Sequence, residues 1–557
     1  MKILLIGLTL ALIFGLLHKL YRRLQLSAAK HPSLTGHVRW SKRIASWIPY
    51  YEYTESQFFC TDHAPLDIVE RRQAGFDRLA AHYQSRFAQS LAATATARGS
   101  ISDLQFTSRY RVPFQFSRYL RERLPVGGFV QSSAGVTLTD LDGNVFHDLT
   151  GSYGVNVFGN DFYKECMAQG AAQVRDLGPV LGSYHPVMLY NVKRLRQISG
   201  LDEISFHMSG TEAVMQAVRL AQYHTERKYL VRFSGAYHGW WGDVQPGIGN
   251  PIAAPNTYTL REMHAATLRV LNSRRDIACV LVNPLQALHP NQSAPGDSAL
   301  IDGSRKAGFD KAAYTQWLHE LRAVCSARNI VLIFDEVFVG FRLALGGAQE
   351  YFGVRADMVI YGKTVAGGFP IGVVCGRADL MQRFRADRPA NICFARGTFN
   401  SHPYVMGAMH EFLLRLESPA IRRVYQGVNA IWNARAAHLN ERLQAAQIPI
   451  RVDNLSSIWT LSYLQPSRYH WMFQFYLRAA GLALSWVGTG RLIFSLNYTD
   501  ADFGQVAEKF ISAGEAMQAD GWWWHGTLTR KAMKRQVLSE LIQARTHTHG
   551  INKFTAH

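Results

Sequence analysis

Four short stretches carry residues whose types and neighbours could do chemistry together. In Met358-Val359-Ile360-Tyr361-Gly362-Lys363 an apolar run ends at a lysine, with Gly367-Gly368-Phe369-Pro370 close behind. A lysine that forms a Schiff base must shed its proton, reach an aldehyde and then swing aside as a base, and small neighbours leave it that room. A lysine taken alone is more simply a solvated surface charge. In Ile330-Val331-Leu332-Ile333-Phe334-Asp335-Glu336-Val337 an apolar run ends in two carboxylates. A carboxylate at a buried strand end needs a cation to offset its desolvation; a protonated pyridine nitrogen would supply it, and the pair would keep the ring electron-poor. An Asp that caps the next element or binds a metal fits the same stretch. In Phe206-His207-Met208-Ser209-Gly210-Thr211-Glu212-Ala213 a strand end passes through small residues into a helical run, where unpaired N–H groups favour an anion such as phosphate; a plain helix cap has the same sequence. In Phe233-Ser234-Gly235-Ala236-Tyr237-His238-Gly239 an aromatic stands in a loop, able to stack on a flat ring or to serve only packing.

The elements that must position these stretches are legible as alternating runs. Tyr229–Phe233, Ala278–Val282, Ile330–Phe334, Met358–Tyr361 and Ile371–Cys375 read as buried strands separated by amphipathic helices, such as the one carrying Val214, Ala217, Val218 and Ala221. That alternation predicts an α/β fold with a mainly parallel sheet wrapped by helices, whose ligands gather at the carboxyl edge of the strands. Upstream, Val136–Thr139 and the turn Asp140-Leu141-Asp142-Gly143-Asn144 predict a hairpin. From about Glu411 onward a long helix, strands and a last helix near Asp500–Met517 predict a smaller α+β lobe.

In combination, Ser209-Gly210-Thr211-Glu212-Ala213, Tyr237-His238-Gly239, Asp335-Glu336-Val337 with Gly340-Phe341-Arg342, Gly362-Lys363 and Gly397-Thr398-Phe399 resemble the class III aminotransferases of pyridoxal-5′-phosphate (PLP) fold type I. Within that family the resemblance is to the glutamate-1-semialdehyde aminomutase branch and to aminotransferase modules of assembly lines, and it spans roughly residues 129–517. It implies that Lys363 carries PLP and is the catalytic base. It also implies that Gly210 and Thr211, helped by Ser209, bind the phosphate, and that Tyr237, beside His238, stacks on one ring face while Val337 packs on the other. Asp335 would pair with the ring nitrogen, and Thr398 would reach the phosphate of a neighbouring subunit in a homodimer. The segment Gly151–Gly159 is similar to the family's substrate entrance, which makes Ser152 or Tyr153 a substrate contact. Arg342 suits either a fold-stabilising role or a carboxylate ligand. Two departures stand out. Asn283-Pro284 replaces an acidic residue before Pro, and Phe338 replaces a Gln or Met, which points to a less polar substrate or to packing in the cofactor pocket.

The implied organisation is a membrane anchor (1–25), a basic and aromatic extension (26–123), the N-terminal part of a small lobe (124–185), a large PLP-binding domain (186–410), a C-terminal small domain (411–518) and a basic aromatic tail (519–557). The anchor rests on the apolar run Ile3–Leu17, followed by His18, Lys19, Arg22 and Arg23, a run that a cleaved signal peptide or an interfacial helix would also fit. Basic residues after the run predict a catalytic body facing the cytoplasm. A net charge of +19 suits an anionic partner; with no zinc finger, aromatic RNA-binding motif or compact helix-turn-helix, a membrane is expected rather than nucleic acid. Six scattered cysteines without metal-ligand spacing predict reduced thiols and no metal. The expected reaction moves an amino group from a donor to a small-molecule or lipid-like carbonyl, hydrophobic or carrier-linked. The alternatives are an intramolecular amino shift, as in the aminomutases, and a membrane-tethered scaffold without activity.

Overall fold

The computed structural model describes residues 2–292, 307–485 and 490–554. Positions 1, 293–306, 486–489 and 555–557, within the ranges expected for the anchor, large domain, small domain and tail, lie outside the described residues. A seven-stranded sheet forms the centre: β1 (Glu203–His207), β2 (Tyr229–Phe233), β3 (Thr257–Leu260), β4 (Ile277–Val282), β5 (Val331–Asp335), β6 (Met358–Gly362) and β7 (Gly372–Gly376), in the order β1-β7-β6-β5-β4-β2-β3. β7 is antiparallel to both its neighbours, and the other pairings are parallel. Side chains alternate across a strand. Leu332 and Phe334 therefore enter one buried cluster with Val231 and Val280, while Val331 and Ile333 enter another with Leu281 and Ile360. Helices cover both faces, as a parallel sheet requires. Helix Gly210–Thr225 buries Ala213, Val214, Ala217, Val218 and Ala221 in the second cluster.

The hairpin forms as expected: Thr137–Asp140 pairs with Val145–Asp148, and the Asp140 carboxylate accepts from the N–H groups of Asp142 and Asn144. Leu482–Ala483 runs parallel to Val145–Asp148, so distant segments complete one small sheet. A second sheet joins Ile450–Leu455, Ile458–Tyr463 and Arg491–Ile493.

Helices Leu66–Arg86 and Phe114–Arg123 of the extension build an aromatic core with the C-terminal part of the chain, in which Phe58, Phe76, Phe116, Tyr469, Trp471 and Trp522 are all buried. Arg72 is buried there, bridging Asp62 at 2.7 Å and lying 4.4 Å from the Tyr469 ring. The Trp522-Trp523 pair, within the range expected for the basic aromatic tail, belongs to this core: both are buried, and Trp522 Nε1 donates to Tyr476 Oη at 2.8 Å. The tail helix Arg530–Phe554 is tied down through Glu540, which accepts from Arg468, Tyr51 and Tyr53.

Helix α1 (Lys2–Ala29) has two parts. Arg22, Gln25, Leu26 and Ala29, spaced along one face, turn toward the body; Gln25 Oε1 accepts from Ser273 Oγ at 2.8 Å and the Ala29 carbonyl from the Arg261 N–H at 2.8 Å. Nearly all of Leu4–Tyr21 is exposed, and Leu4–Ala29 is apolar enough to cross a membrane by length and composition.

Beyond β3, Glu262 is buried; its Oε1 accepts from Tyr314 Oη at 2.6 Å, and its Oε2 has no partner among the described residues. Burial pushes its pKa up from 4.5 to about 8. A carboxyl raised in the folded state gives stability that is complete below its unfolded pKa and is lost as pH rises through the folded one. Glu262→Gln is therefore expected to flatten the fall in Tm between about pH 5 and about pH 8. An unchanged slope in thermal unfolding would contradict this.

Candidate active site

β6 ends at Gly362, and Lys363 follows with a left-handed backbone (φ 50°). Such a conformation in a non-glycine residue costs of order 1–3 kcal/mol and clusters where geometry matters to function. Lys363 Nζ donates to the Tyr153 carbonyl and lies 5.1 Å from the Phe338 ring centre. Burial lowers its pKa to about 8; Asp335 opposes the shift, and Arg342 and Arg491 add to it. The amine is thus partly neutral near physiological pH, the form in which it can act as nucleophile or base.

Lys363 borders a cavity of about 450 Å³ at the carboxyl edge of the sheet, shared with Ser209, Gly210, Thr211, Tyr237, His238, Asp335, Val337 and Phe338. Asp335 ends β5 and is buried; it is the one carboxylate among the described residues that border the cavity. Its Oδ2 meets His238 Nδ1 at 2.7 Å, and its Oδ1 accepts from the Val337 N–H at 3.2 Å. Burial lowers the His238 pKa against the pull of Asp335, and His238 Nε2 is buried without a partner among the described residues. Glu336 points away from the cavity. It accepts from the Ala348 and Gln349 N–H groups at the start of helix Gly347–Phe352, so the second carboxylate of the pair is a cap.

Ser209 caps helix Gly210–Thr225, its Oγ accepting from the Glu212 N–H at 3.2 Å. The glycines beside it are needed for close approach. A Cβ on Gly210 would meet Val337 at 2.9 Å, and one on Gly239, where φ is +91°, would meet Thr211 Oγ1 at 2.3 Å. The helix N-terminus and the Tyr237-His238-Gly239 loop therefore close on each other with room left only for backbone.

Tyr237 is 63% exposed, so its ring face is free to stack. Its carbonyl accepts from Asn283 Nδ2 at 2.9 Å, while Asn283 Oδ1 accepts from the Leu285 N–H at 3.1 Å. The departure at Asn283 now has a physical reason, because a carboxylate could not donate to that carbonyl. Asn283→Asp is expected to loosen the Tyr237 loop and weaken cofactor retention about tenfold, the scale of one lost hydrogen bond; cofactor loss on dialysis, followed by visible absorbance, measures it.

Gly151, Ser152, Tyr153 and Gly154 are consecutively left-handed (φ 49°, 46°, 56° and 98°). This turn presents the Tyr153 carbonyl to Lys363, while the Ser152 side chain is exposed and does not border the cavity. Phe338 supplies an apolar wall, and a Cβ on Gly154 would strike its ring at 2.8 Å. Thr398 lies elsewhere, in an open groove of about 1570 Å³ with Arg383, Phe384 and Phe394. Arg342 is buried, donating to Ser457 Oγ and to the carbonyls of Asn156 and Phe494, so it ties the lobes together.

Arg491 was not found from sequence. It borders the cavity, 5.9 Å from the Phe338 ring, bonds His289 at 3.0 Å and has no carboxylate partner among the described residues. Its local sequence, a basic residue on a short strand, matches any surface arginine, and only the fold brings it to the cavity that Lys363 borders.

A partly neutral amine, a buried carboxylate, a free aromatic face and a glycine-lined helix N-terminus around one cavity are the donor set PLP requires, and the unpartnered His238 Nε2 leaves a polar position there to fill. Sheet order and site together define a PLP enzyme of fold type I. The Aminotransferase class-III family profile matches residues 120–513. Glutamate-1-semialdehyde 2,1-aminomutase of Methanococcus vannielii is 30% identical over 361 residues, covering 62% of this chain and 78% of that protein. Among solved structures, a transaminase with PLP bound is 25% identical with a TM-score of 0.61, over 77% of this chain and 98% of that one. A glutamate-1-semialdehyde aminomutase from Pseudomonas aeruginosa PAO1 has a TM-score of 0.63 at 17% identity, covering 80% and 99%. The chain belongs to the class III aminotransferases and is a PLP-dependent enzyme.

Proposed function

We propose that this enzyme transfers an amino group from an amino acid to a hydrophobic aldehyde or ketone, at a membrane and as a homodimer. The observation that carries the reading is the cavity itself, which Lys363 borders together with Asp335, Phe338 and Arg491. Gly210 and Thr211 would hold the cofactor phosphate with backbone N–H groups, with Ser209 fixing the helix start. Tyr237 and Val337 would flank the ring, Asp335 would hold its nitrogen and Lys363 its aldehyde carbon. PLP, when bound, supplies an aldehyde that condenses with amines and a ring that draws electrons from the neighbouring carbon. Lys363 Nζ, once released from that carbon by the incoming amine, would move the proton from the donor carbon to the cofactor's aldehyde carbon and, in the reverse direction, from there to the carbon of the acceptor. The Tyr153 carbonyl orients that amine.

Arg491 supports an amino-acid donor, because a cavity cation without a carboxylate partner suits a substrate carboxylate. Arg491→Gln is expected to raise the KM for amino-acid donors by about 10–100-fold, the scale of a lost charge-assisted bond, while amines lacking a carboxylate are turned over as before. Equal losses for both donor classes would remove Arg491 from donor binding. Val155, Leu285, Phe338, Phe369 and Ile371 on the cavity wall support an apolar acceptor. Comparing long-chain aldehydes with short keto acids at fixed donor tests it, and equal turnover rejects it.

The exposed apolar part of α1 supports a membrane anchor, and the basic residues behind it support a cytoplasmic body. Thr398, in an open groove of its own chain, suits a contribution to a partner's site. The domain boundaries at 25, 123, 185, 410 and 518 belong to the same reading. A second reading, the amino shift, is favoured by the names of the relatives. Giving the enzyme a single nitrogen-labelled amino-aldehyde separates the two, since label moved within that molecule without a second donor supports the shift.

A further inference from the structure

The wall of the cavity does not end at Gly239. The chain runs on into Trp240, 74% exposed, and through a loop that also displays Ile248 and Ile252, 66% and 73% exposed, before entering β3. Soluble surfaces rarely gather large apolar side chains of this kind without a partner. The loop is fastened to the short helix α2 (Val38–Ala45): Lys42 Nζ donates to the Asn250 carbonyl at 2.5 Å, and Gly247 packs on Ser41, where a Cβ would lie 3.4 Å from Ser41 Oγ. α2 turns Ser41 inward and leaves Arg39, Trp40 and Arg43 exposed, with Trp47 and Ile48 exposed just beyond it. The Arg43 guanidinium lies 5.7 Å from the Trp40 ring and 5.6 Å from the Trp47 ring.

The charge is of one sign. Residues 1–51 contain Lys2, Lys19, Arg22, Arg23, Lys30, Arg39, Lys42 and Arg43 and no Asp or Glu. Among the described residues none of Arg39, Lys42 and Arg43 is in an ion pair; the nearby loop has one carboxylate, half-buried Asp243, whose pKa burial raises. α2 is also close in chain and field to the docked end of α1: burial lowers the pKa of Lys30, and Arg39 and Arg23 lower it further. The exposed stretch Leu4–Tyr21 reaches about 27 Å as a helix, near the roughly 30 Å of a bilayer's hydrocarbon core.

We propose that α2, Trp47-Ile48 and the loop Trp240–Ile252 form one surface that binds an anionic phospholipid bilayer. Trp, Ile and Arg mixed on one face match the headgroup boundary, where aromatic rings sit among polar heads and basic side chains meet anionic lipid. The cavity wall that carries Tyr237 is then three residues from the lipid at Trp240. The inference rests on the membrane reading above and adds to it a particular face and a lipid class.

The test uses the full chain with Cys60→Ser, reconstituted in vesicles of phosphatidylglycerol and phosphatidylcholine, with a fluorophore on Ile48→Cys or Ile252→Cys. Lipids carrying a spin label just below the headgroup are expected to quench both positions at least twofold. Quenching is expected to fall in pure phosphatidylcholine and in the variant Arg39→Glu with Arg43→Glu, while flotation with the vesicles persists through α1. Protein that floats but stays unquenched overturns this surface and leaves the anchor standing; quenching that is equal in both lipids, or untouched by the charge reversal, overturns its anionic specificity. Failure to float overturns both readings.

Discussion

Lys363→Ala is expected to abolish transamination and, with it, the visible absorbance of the lysine-linked cofactor. Loss of proton transfer alone costs about 10²–10⁴-fold, and the variant also loses the covalent hold on the aldehyde. Retained absorbance would falsify the assignment of Lys363. The native chain offers a matched measurement. Because burial lowers this pKa to about 8, the rate at which cofactor-free protein takes up PLP should rise with pH through about 8 and then level off. An ordinary lysine would keep gaining neutral amine to about 10.4. A rate still climbing beyond pH 9.5 or so would mean that Lys363 is solvated when it reacts.

Asp335→Asn is the second large effect expected. It keeps the shape of the side chain that meets His238 at 2.7 Å but removes the one carboxylate among the described residues that border the cavity. Without that charge no carboxylate among the described wall residues favours a protonated ring nitrogen, and losing one preorganised electrostatic partner in a buried site costs about 10²–10³-fold. The circular dichroism spectrum should be unchanged, since the Val337 N–H can still donate to the amide oxygen. A fall in kcat below about tenfold would show that the carboxylate holds His238 in place and does little more.

The central strands were legible because a strand buried on both faces reads as an unbroken apolar run, as Ile277–Val282 and Val331–Asp335 do. β3, with the sequence Thr-Tyr-Thr-Leu at the sheet edge, was not, because a short edge strand keeps polar residues. The residues that meet at the cavity were legible because each follows a strand or opens a helix, and such ends converge at one sheet edge. Arg491 was not, since it arrives from a different sheet. The burial of Trp522 was not legible for a related reason. An exposed and a buried tryptophan look alike in sequence, and here the difference is made by Phe59 and by Arg72 of helix Leu66–Arg86, more than four hundred residues earlier.

That separation bears on how the protein is made. Phe58, Phe59 and Arg72 are completed by Trp471, Trp522 and Tyr469, which leave the ribosome some 400–460 residues later. At about 5–20 residues per second, the newborn N-terminal helices wait roughly 20–90 seconds for their partners with a large aromatic face uncovered. A chain cut short before Trp522 would never cover it, so premature termination should yield a sticky, chaperone-bound fragment rather than an enzyme missing its tail.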